Sequence, residues 1–436
     1  MLCYNKETNM KGKMSMSRKA SFLLIILCLV AAALSGCAQD AEREAVGSDA
    51  AVAITHVRQL VAADNKTART IMWESKVKQP YTLEYRKQGS SNSQSVQAAD
   101  SSFTDKDSVI QYTARLEGLA PGSTYEYRIN TAKNKGQWHK LHTEDGAGFT
   151  ALIFPDSQSA DYSGWQQLAR AAYKRHPDSA FYVNMGDLVD NGQDASQWRA
   201  WFNSVSVFSD ALPLAPVIGN HEAYSLEWKE CLPASYTHLF NVPQNGLAKY
   251  PNQFYSFDYG PVHFVVLDTN FPEMKNFQPD LLADELQWLE GDLAASRAKW
   301  KVVLMHRDIF LYGFGPESGR EQTQTHFLDF SYQLMPVFEK YKVDAVLTAH
   351  LHTYRRRVPL QSFAPAPQGS GITYILTGVA GDVRYPKLWG EFAWDAATAP
   401  KPETANYMTL RADEQSLEFK AFLPDGRQFD EVKLTK

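Results

Sequence analysis

The sequence predicts an all-β sandwich followed by an α/β domain, and two changes of pattern along the chain predict it. Residues 51–146 alternate apolar and polar side chains in short runs broken by polar turns, with no helical periodicity of useful length. From residue 147 the runs become continuously apolar, each ends in a polar cluster, and helical stretches separate them. The 436 residues are 44% apolar and 12% aromatic, enough for two packed cores and too apolar for disorder.

A leader precedes both domains. Lys11, Lys13, Arg18 and Lys19 are a basic n-region, and Ser21 to Leu34 is an apolar stretch too short to span a bilayer comfortably. Leu34-Ser35-Gly36-Cys37 closes it with small residues on a cysteine, which resembles the lipobox of bacterial lipoproteins. The resemblance implies a signal peptide over 1–36, lipidation of Cys37, anchorage in a lipid bilayer and a place outside the cytoplasm. Residues 37–50 are rich in Ala, Glu and Asp without periodicity, as a flexible tether would be. Removing the leader's five basic and one acidic residue from totals of 44 and 49 leaves a net charge of −9, which gives no bulk electrostatic reason to bind nucleic acid. Of the four cysteines, Cys3 and Cys28 would leave with the leader and Cys37 would be acylated, so Cys231 would have no disulfide partner.

Within 51–146, the strand candidates are Ile71 to Trp73, Thr82 to Arg86 with strict alternation, and Tyr125 to Arg128. Leu119-Ala120-Pro121-Gly122-Ser123-Thr124-Tyr125 resembles the tyrosine corner of fibronectin type III domains, in which a Tyr hydroxyl bonds backbone just upstream. Trp73 and Tyr125 are then core residues, and support of the neighbouring domain is the expected job of the sandwich.

Within 147–436, Phe149 to Phe154 runs into Asp156, Phe181 to Met185 into Gly186-Asp187, and Pro216 to Ile218 into Gly219-Asn220-His221. Val302 to Met305 runs into His306, and Ala345 to Thr348 into His350 and His352. Ligands past the C-terminal ends of several strands build one crevice from distant sequence. Gly164 to Tyr173 and Asp280 to Leu293 have helical spacing and would cover the sheet. Ser416 to Phe422, a turn at Asp425-Gly426 and Val432 to Leu434 read as a closing hairpin.

Taken together the clusters offer three imidazoles, two carboxylates and an amide oxygen, a mixed set that suits Zn, Mn or Fe rather than Ca. His350 and His352 lie two apart, a spacing that on extended backbone points both side chains to one face. The order of the clusters resembles the calcineurin-like metallophosphoesterase superfamily, with D-x-H, G-D-x-x-D, G-N-H-[ED], a lone H and G-H-x-H. With the preceding sandwich, the stretch Tyr255 to Phe264 and the run His350 to Arg355, the chain looks most like purple acid phosphatases. That resemblance implies a fibronectin III-like sandwich, an α/β sandwich of two sheets flanked by helices, and two metal ions. Asp187 would bridge the metals, Asp156 and His352 would complete the first site, and Asn220, His306 and His350 the second.

Two departures matter. Asp190 stands where the purple family has the Tyr that binds ferric iron, so a colourless enzyme without an obligate ferric site is expected. Gly-Asp-Leu-Val-Asp resembles instead the form in phosphoprotein phosphatases, which implies that Asp190 orients and charges His221. His221 would then protonate the leaving alkoxide, while two cations depress the pKa of a shared water and clamp the phosphoryl oxygens. Gln158 stands where many superfamily members have His, and would either bind the first metal through its carbonyl or touch it through water.

Arg307, Tyr354 and Arg355 follow ligands closely and are candidates to grip a phosphate oxygen. The loop Tyr312 to Pro316 and the aromatic stretch Tyr385 to Trp394 are candidates for the pocket rim. The expected activity is hydrolysis of phosphate monoesters. Its rivals are a phosphodiesterase acting on nucleotides or lipid headgroups, and a surface binding lipoprotein without catalysis.

Overall fold

In the computed structural model of the chain, residues 54–104, 108–310, 327–367, 369–385, 392–401 and 404–436 are described. The leader, the tether with Cys37 and the loop Tyr312 to Pro316 lie outside them. Among the described residues, no helix is long and apolar enough to cross a membrane.

Two large sheets form the α/β part. In one, the strands Phe149–Phe154, Phe181–Asn184 and Leu214–Pro216 run parallel, and Tyr407–Ala412, Ser416–Phe422 and Gln428–Thr435 add antiparallel at the far side. The other carries Tyr255–Tyr259, then parallel Val262–Leu267, Trp300–Met305, Ala345–Thr348 and Thr373–Thr377, then antiparallel Tyr354–Arg357 and Asp395–Thr398. The strand alternation decides which core each residue enters. Val262, Phe264, Val266, Val302 and Leu304 face the first sheet and join Phe154, Phe181 and Val183 in a core between the sheets. Val265, Leu267, Val303 and Met305 point the other way, against Leu289 and Leu293 of the helix Leu281–Ala295 and Leu334 and Phe338 of Ser331–Lys340. Burial on both faces is why these runs are continuously apolar. The helix Ser163–Arg175 covers the first sheet with Trp165, Leu168, Ala169 and Ala172.

The N-terminal domain is a sandwich of Ile54–Leu60, Arg69–Ser75, Ile110–Leu116 and Ala99–Thr104 against Gln94–Gln97, Thr82–Lys87, Thr124–Asn130 and His139–His142. Ile71, Trp73, Leu83, Tyr112, Tyr125 and Tyr127 fill it. The Tyr125 hydroxyl accepts from the Ala120 amide at 2.9 Å, the contact that the corner motif implies.

The sandwich does not stand apart from the α/β sheet. Leu60 pairs in parallel with Leu214, and the Val61 amide donates to the Leu214 carbonyl at 3.0 Å, so one ten-stranded sheet runs through both domains. This pairing closes an edge that would otherwise present bare backbone groups. Buried Arg58 donates to the carbonyls of Leu239 and His56 and to Gln111, and the Tyr127 hydroxyl donates to the Asp210 carbonyl at 2.6 Å. The ten-stranded sheet therefore crosses the boundary at 146–147, and Leu60, Val61 and Met72 join the core of the α/β part from the other side of it.

Candidate active site

Both parallel sets of strands end at the same edge of the core, and the loops leaving them are tied to one another. The Ser157 and Gln158 amides donate to the Asp187 carbonyl at 3.1 and 2.9 Å, and the Ala349 amide to the His306 carbonyl at 2.8 Å. Ser157 Oγ also takes bonds from Asn184 and from the Trp201 indole, both at 2.9 Å, fixing the loop that carries Asp156. Backbone strain collects here: Asp187, His350 and His352 have φ of 46°, 74° and 51°, a region most side chains avoid. Gly186 (φ 97°) and Gly219 admit the crossing, because a Cβ would lie 2.5 Å from His306 Nδ1 at the first and 2.2 Å from the Asp187 amide at the second. The segment of His350 and His352 is thus a tight turn and not the extended backbone expected. The two rings diverge, His350 towards Asp187 and His306, His352 towards Asp156 and Asp187.

These residues form two groups that share Asp187: Asp187, His306 and His350, and Asp156, Asp187 and His352, with donor atoms within 4.8 Å of one another in each. Asn220 joins the first, its Oδ1 3.2 Å from His306 Nε2. Hydrogen bonding decides what these atoms are for. His306 Nδ1 faces the Met185 carbonyl at 2.9 Å and His352 Nδ1 the Val383 carbonyl at 3.0 Å, so each donates there and turns an Nε2 lone pair inward. Those lone pairs meet the Asp187 and Asp156 carboxylates at 3.1 Å each. Acceptor facing acceptor in a buried site needs a proton or a cation between them. Burial lowers the His306 pKa, but the charge and hydrogen bond of Asp187 outweigh it and push it up to about 9, a measure of that demand for positive charge. His350 goes the other way, held well below its ordinary value by burial and by Arg307 and His306, and its buried Nδ1 has no hydrogen-bond partner among the described residues. A neutral imidazole with an unused nitrogen is a metal ligand's condition. The donor set fits a pair of transition-metal or zinc ions.

His221 stands at the edge of these groups, its Nε2 4.0 Å from Asp187 Oδ2. The ring is oriented by Asp190, but not as the sequence motif implies. His221 Nδ1 faces the Asp190 main-chain carbonyl at 2.6 Å, while the Asp190 carboxylate stays 3.8 Å away and a third exposed. The carbonyl does the orienting because the loop curls under the ring, and the carboxylate contributes only its field. Burial raises the Asp190 pKa against the influence of His221.

Glu222 was legible as the last letter of the G-N-H-E motif but had no role attached to it. Its buried carboxylate accepts from the amides of Asp187 (3.0 Å), Leu188 (2.9 Å), Val189 (3.4 Å) and Gly219 (2.8 Å), so it rivets the loop of Asp187 to the loop of Asn220. Glu273 carries no motif and is found only in space. It pairs closely with Arg307 and accepts from the Tyr224 hydroxyl at 3.2 Å.

Gln158 lies beside the group of Asp156 and His352, its Nε2 3.1 Å from His352 Nε2 and its Oε1 buried without a partner among the described residues. Exchanging the amide's two ends would aim the carbonyl at the group, the choice a ligand would make. Arg307 reaches the group of His306 and His350, its Nη1 3.2 Å from His350 Nε2. Tyr354 and Arg355 do not join them, a correction to the sequence reading. Both lie in the buried strand Tyr354–Arg357, where the Tyr354 hydroxyl donates to Asp430 at 2.7 Å and Arg355 pairs with Asp395 at 2.5 Å over the Phe392 ring. Of the aromatic stretch, Tyr385 packs on the His352 ring with centroids 5.0 Å apart, Trp394 packs into the helix-covered core, and residues 386–391 lie outside the described residues. Cys231 is half-buried and accepts from Gln193.

Residues 141–354 match the calcineurin-like phosphoesterase family, and residues 54–143 match the purple acid phosphatase N-terminal domain. An acid phosphatase of Aspergillus ficuum is 26% identical over 284 residues, 46% of this chain and 44% of its own length. Human acid phosphatase type 7 is 24% identical over 288 residues, 61% of this chain and 63% of its own. The chain thus spans about half to two thirds of the curated relatives it matches. In fold it is similar to the purple acid phosphatase PPD1 of yellow lupin, with a TM-score of 0.74 at 18% identity over 88% of this chain and 74% of that one.

Proposed function

We propose that this chain, a calcineurin-like phosphoesterase domain behind a purple acid phosphatase N-terminal domain, hydrolyses phosphate monoesters with two metal ions. One observation carries the reading: two buried groups of imidazole and carboxylate donors share Asp187 and turn their lone pairs towards each other. Asp156, Asp187 and His352, with Gln158 beside them, would hold one cation, and Asp187, Asn220, His306 and His350 the other. When bound, two cations supply the charge that neutralises phosphoryl oxygens and acidifies water.

The chain's own residues do the rest. The Asp190 carbonyl fixes His221 with Nε2 towards the reacting centre, so a proton on that nitrogen passes to the leaving alkoxide as the P–O bond breaks. Arg307, steadied by Glu273, offers its guanidinium to a phosphate oxygen. The basic n-region, the apolar stretch and Cys37 support export and lipid anchorage outside the cytoplasm. Loss of membrane association on Cys37→Ala tests that part.

The chemistry is tested on protein beginning at Ala38, stripped and reloaded with Mn, Zn or Fe, using p-nitrophenyl phosphate and bis-p-nitrophenyl phosphate beside an Asp187→Asn control. Metal-dependent release from the monoester, lost in the control, is the expected result. Preference for the diester would shift the reading to a phosphodiesterase, and no release from either ester would overturn it.

A further inference from the structure

Beside His221 stands a tryptophan in an unfavourable place. Trp228 is 54% exposed and sits at φ 59°, a left-handed conformation that is unusual for a bulky residue outside glycine-like positions. An exposed indole has nothing to gain from burial there, so its position calls for another reason.

The turn that carries it is firmly built. The Trp228 amide donates to the Ser225 carbonyl at 2.8 Å, the Ser225 amide to the Lys229 carbonyl at 2.8 Å, and Tyr224 bridges Glu230. Asn191 Nδ2 donates to the same Ser225 carbonyl at 2.7 Å, which ties the turn to the loop of Asp190. Tyr224 anchors the other end through Glu273, the partner of Arg307. The two rings stand edge-on around the histidine, with centroids 5.8 Å from His221 to Tyr224 and 5.8 Å to Trp228, at 87° and 83°. The residue placed to act as acid therefore has an exposed indole next to it, on a turn that Asn191 ties to the loop that orients the acid.

We infer that Trp228 is a specificity-determining residue that stacks on a planar aromatic leaving group. The favoured substrates are then monoesters whose phosphate is joined to, or lies close to, an aryl ring or a nucleobase. Stacking on an aromatic side chain tolerates any flat π-face, which is the shared chemistry of the two classes. The inference rests on the phosphatase reading above and adds the substrate class.

Binding tests it without turnover. Metal-loaded protein is titrated calorimetrically with phenylphosphonate and methylphosphonate, in the wild type, Trp228→Leu and Trp228→Phe. The wild type is expected to bind the phenyl compound about tenfold tighter, Trp228→Leu to lose that preference with its methylphosphonate affinity unchanged, and Trp228→Phe to keep most of it. Adenosine monophosphate, run in parallel on the same proteins, separates a nucleobase from a simple aryl group by which of the two loses more affinity in Trp228→Leu. Equal binding of both phosphonates by the wild type, or a preference that survives Trp228→Leu, overturns the inference while leaving the phosphatase reading intact. If neither phosphonate binds metal-loaded protein, the inference falls together with that reading.

Discussion

Replacing Glu222 by Gln asks whether one carboxylate holds the two ligand-bearing loops in register. The carboxylate accepts three amides within 3.0 Å, from Asp187, Leu188 and Gly219, and Val189 more distantly. An amide keeps one oxygen and places an NH₂ against the remaining donors, so at least one buried N–H loses its acceptor. A buried donor left without a partner costs about 1–3 kcal/mol, and the new donor–donor contact adds to it. The change also removes a buried charge whose pKa is pushed up to about 7 by burial and by Asp187, which offsets part of the loss in metal-free protein. Stability alone is therefore an ambiguous readout, and metal affinity is the sharper one. Residues that orient ligands typically contribute ~10–100-fold to affinity. Competition of wild type and Glu222→Gln for zinc against a chromophoric chelator should show a loss of that order, with circular dichroism unchanged. Wild-type affinity in folded Glu222→Gln protein would refute the account of Glu222 as the rivet between the loops.

Three further outcomes follow from other parts of the molecule. His221→Ala should lower kcat by about 10²–10⁴-fold on an ester with a poor leaving group and much less on p-nitrophenyl phosphate, whereas Asp190→Asn should cost less than about tenfold, since the orienting carbonyl remains. Equal losses in the two variants on both esters would sink that distinction. His263 lies between Asp258 (2.7 Å) and Asp292 (2.8 Å); burial lowers its pKa, but the two hydrogen bonds outweigh this and push it up to about 9. A raised folded-state pKa contributes stability that is full below the unfolded value near 6.5 and lost as pH rises through 9. With Asp258 largely exposed, the contribution is discounted to about 2 kcal/mol. Urea unfolding of His263→Gln should show that deficit at pH 6 and little above pH 10, and a pH-independent deficit would count against it. Tyr125→Phe should cost about 0.5–1.5 kcal/mol through the lost bond to Ala120 while leaving phosphatase activity untouched, as thermal unfolding and turnover measured side by side would show.

The sequence by itself determined the two cores and the chemistry-bearing positions. Strands buried on both faces must be continuously apolar, so Phe149–Phe154 and Ala345–Thr348 were readable to the residue. One polar residue at a strand end means little, since such residues collect where strands leave a core, but five such clusters in order brought Asp156, Asp187, Asn220, His306, His350 and His352 forward together. Amphipathic spacing located Ser163–Arg175 and Leu281–Ala295 within one or two residues at each end.

Only the tertiary structure decided the rest, because it depends on backbone groups and on directions that side-chain identity does not encode. The pairing of Leu60 with Leu214 that merges two sheets uses amides and carbonyls common to every residue. The same holds for the carbonyl of Asp190, which takes the orienting task that the motif assigned to its carboxylate. Positive φ at His350 and His352 sends the rings to different groups, whereas residue spacing alone suggested one extended face. Tyr354 and Arg355 follow a ligand by only two and three residues, yet the chain has already turned into a buried strand that pairs them with Asp430 and Asp395. Glu273 and Trp228 reach the site from segments with no motif, and proximity in space is a property of the folded chain that no local pattern records.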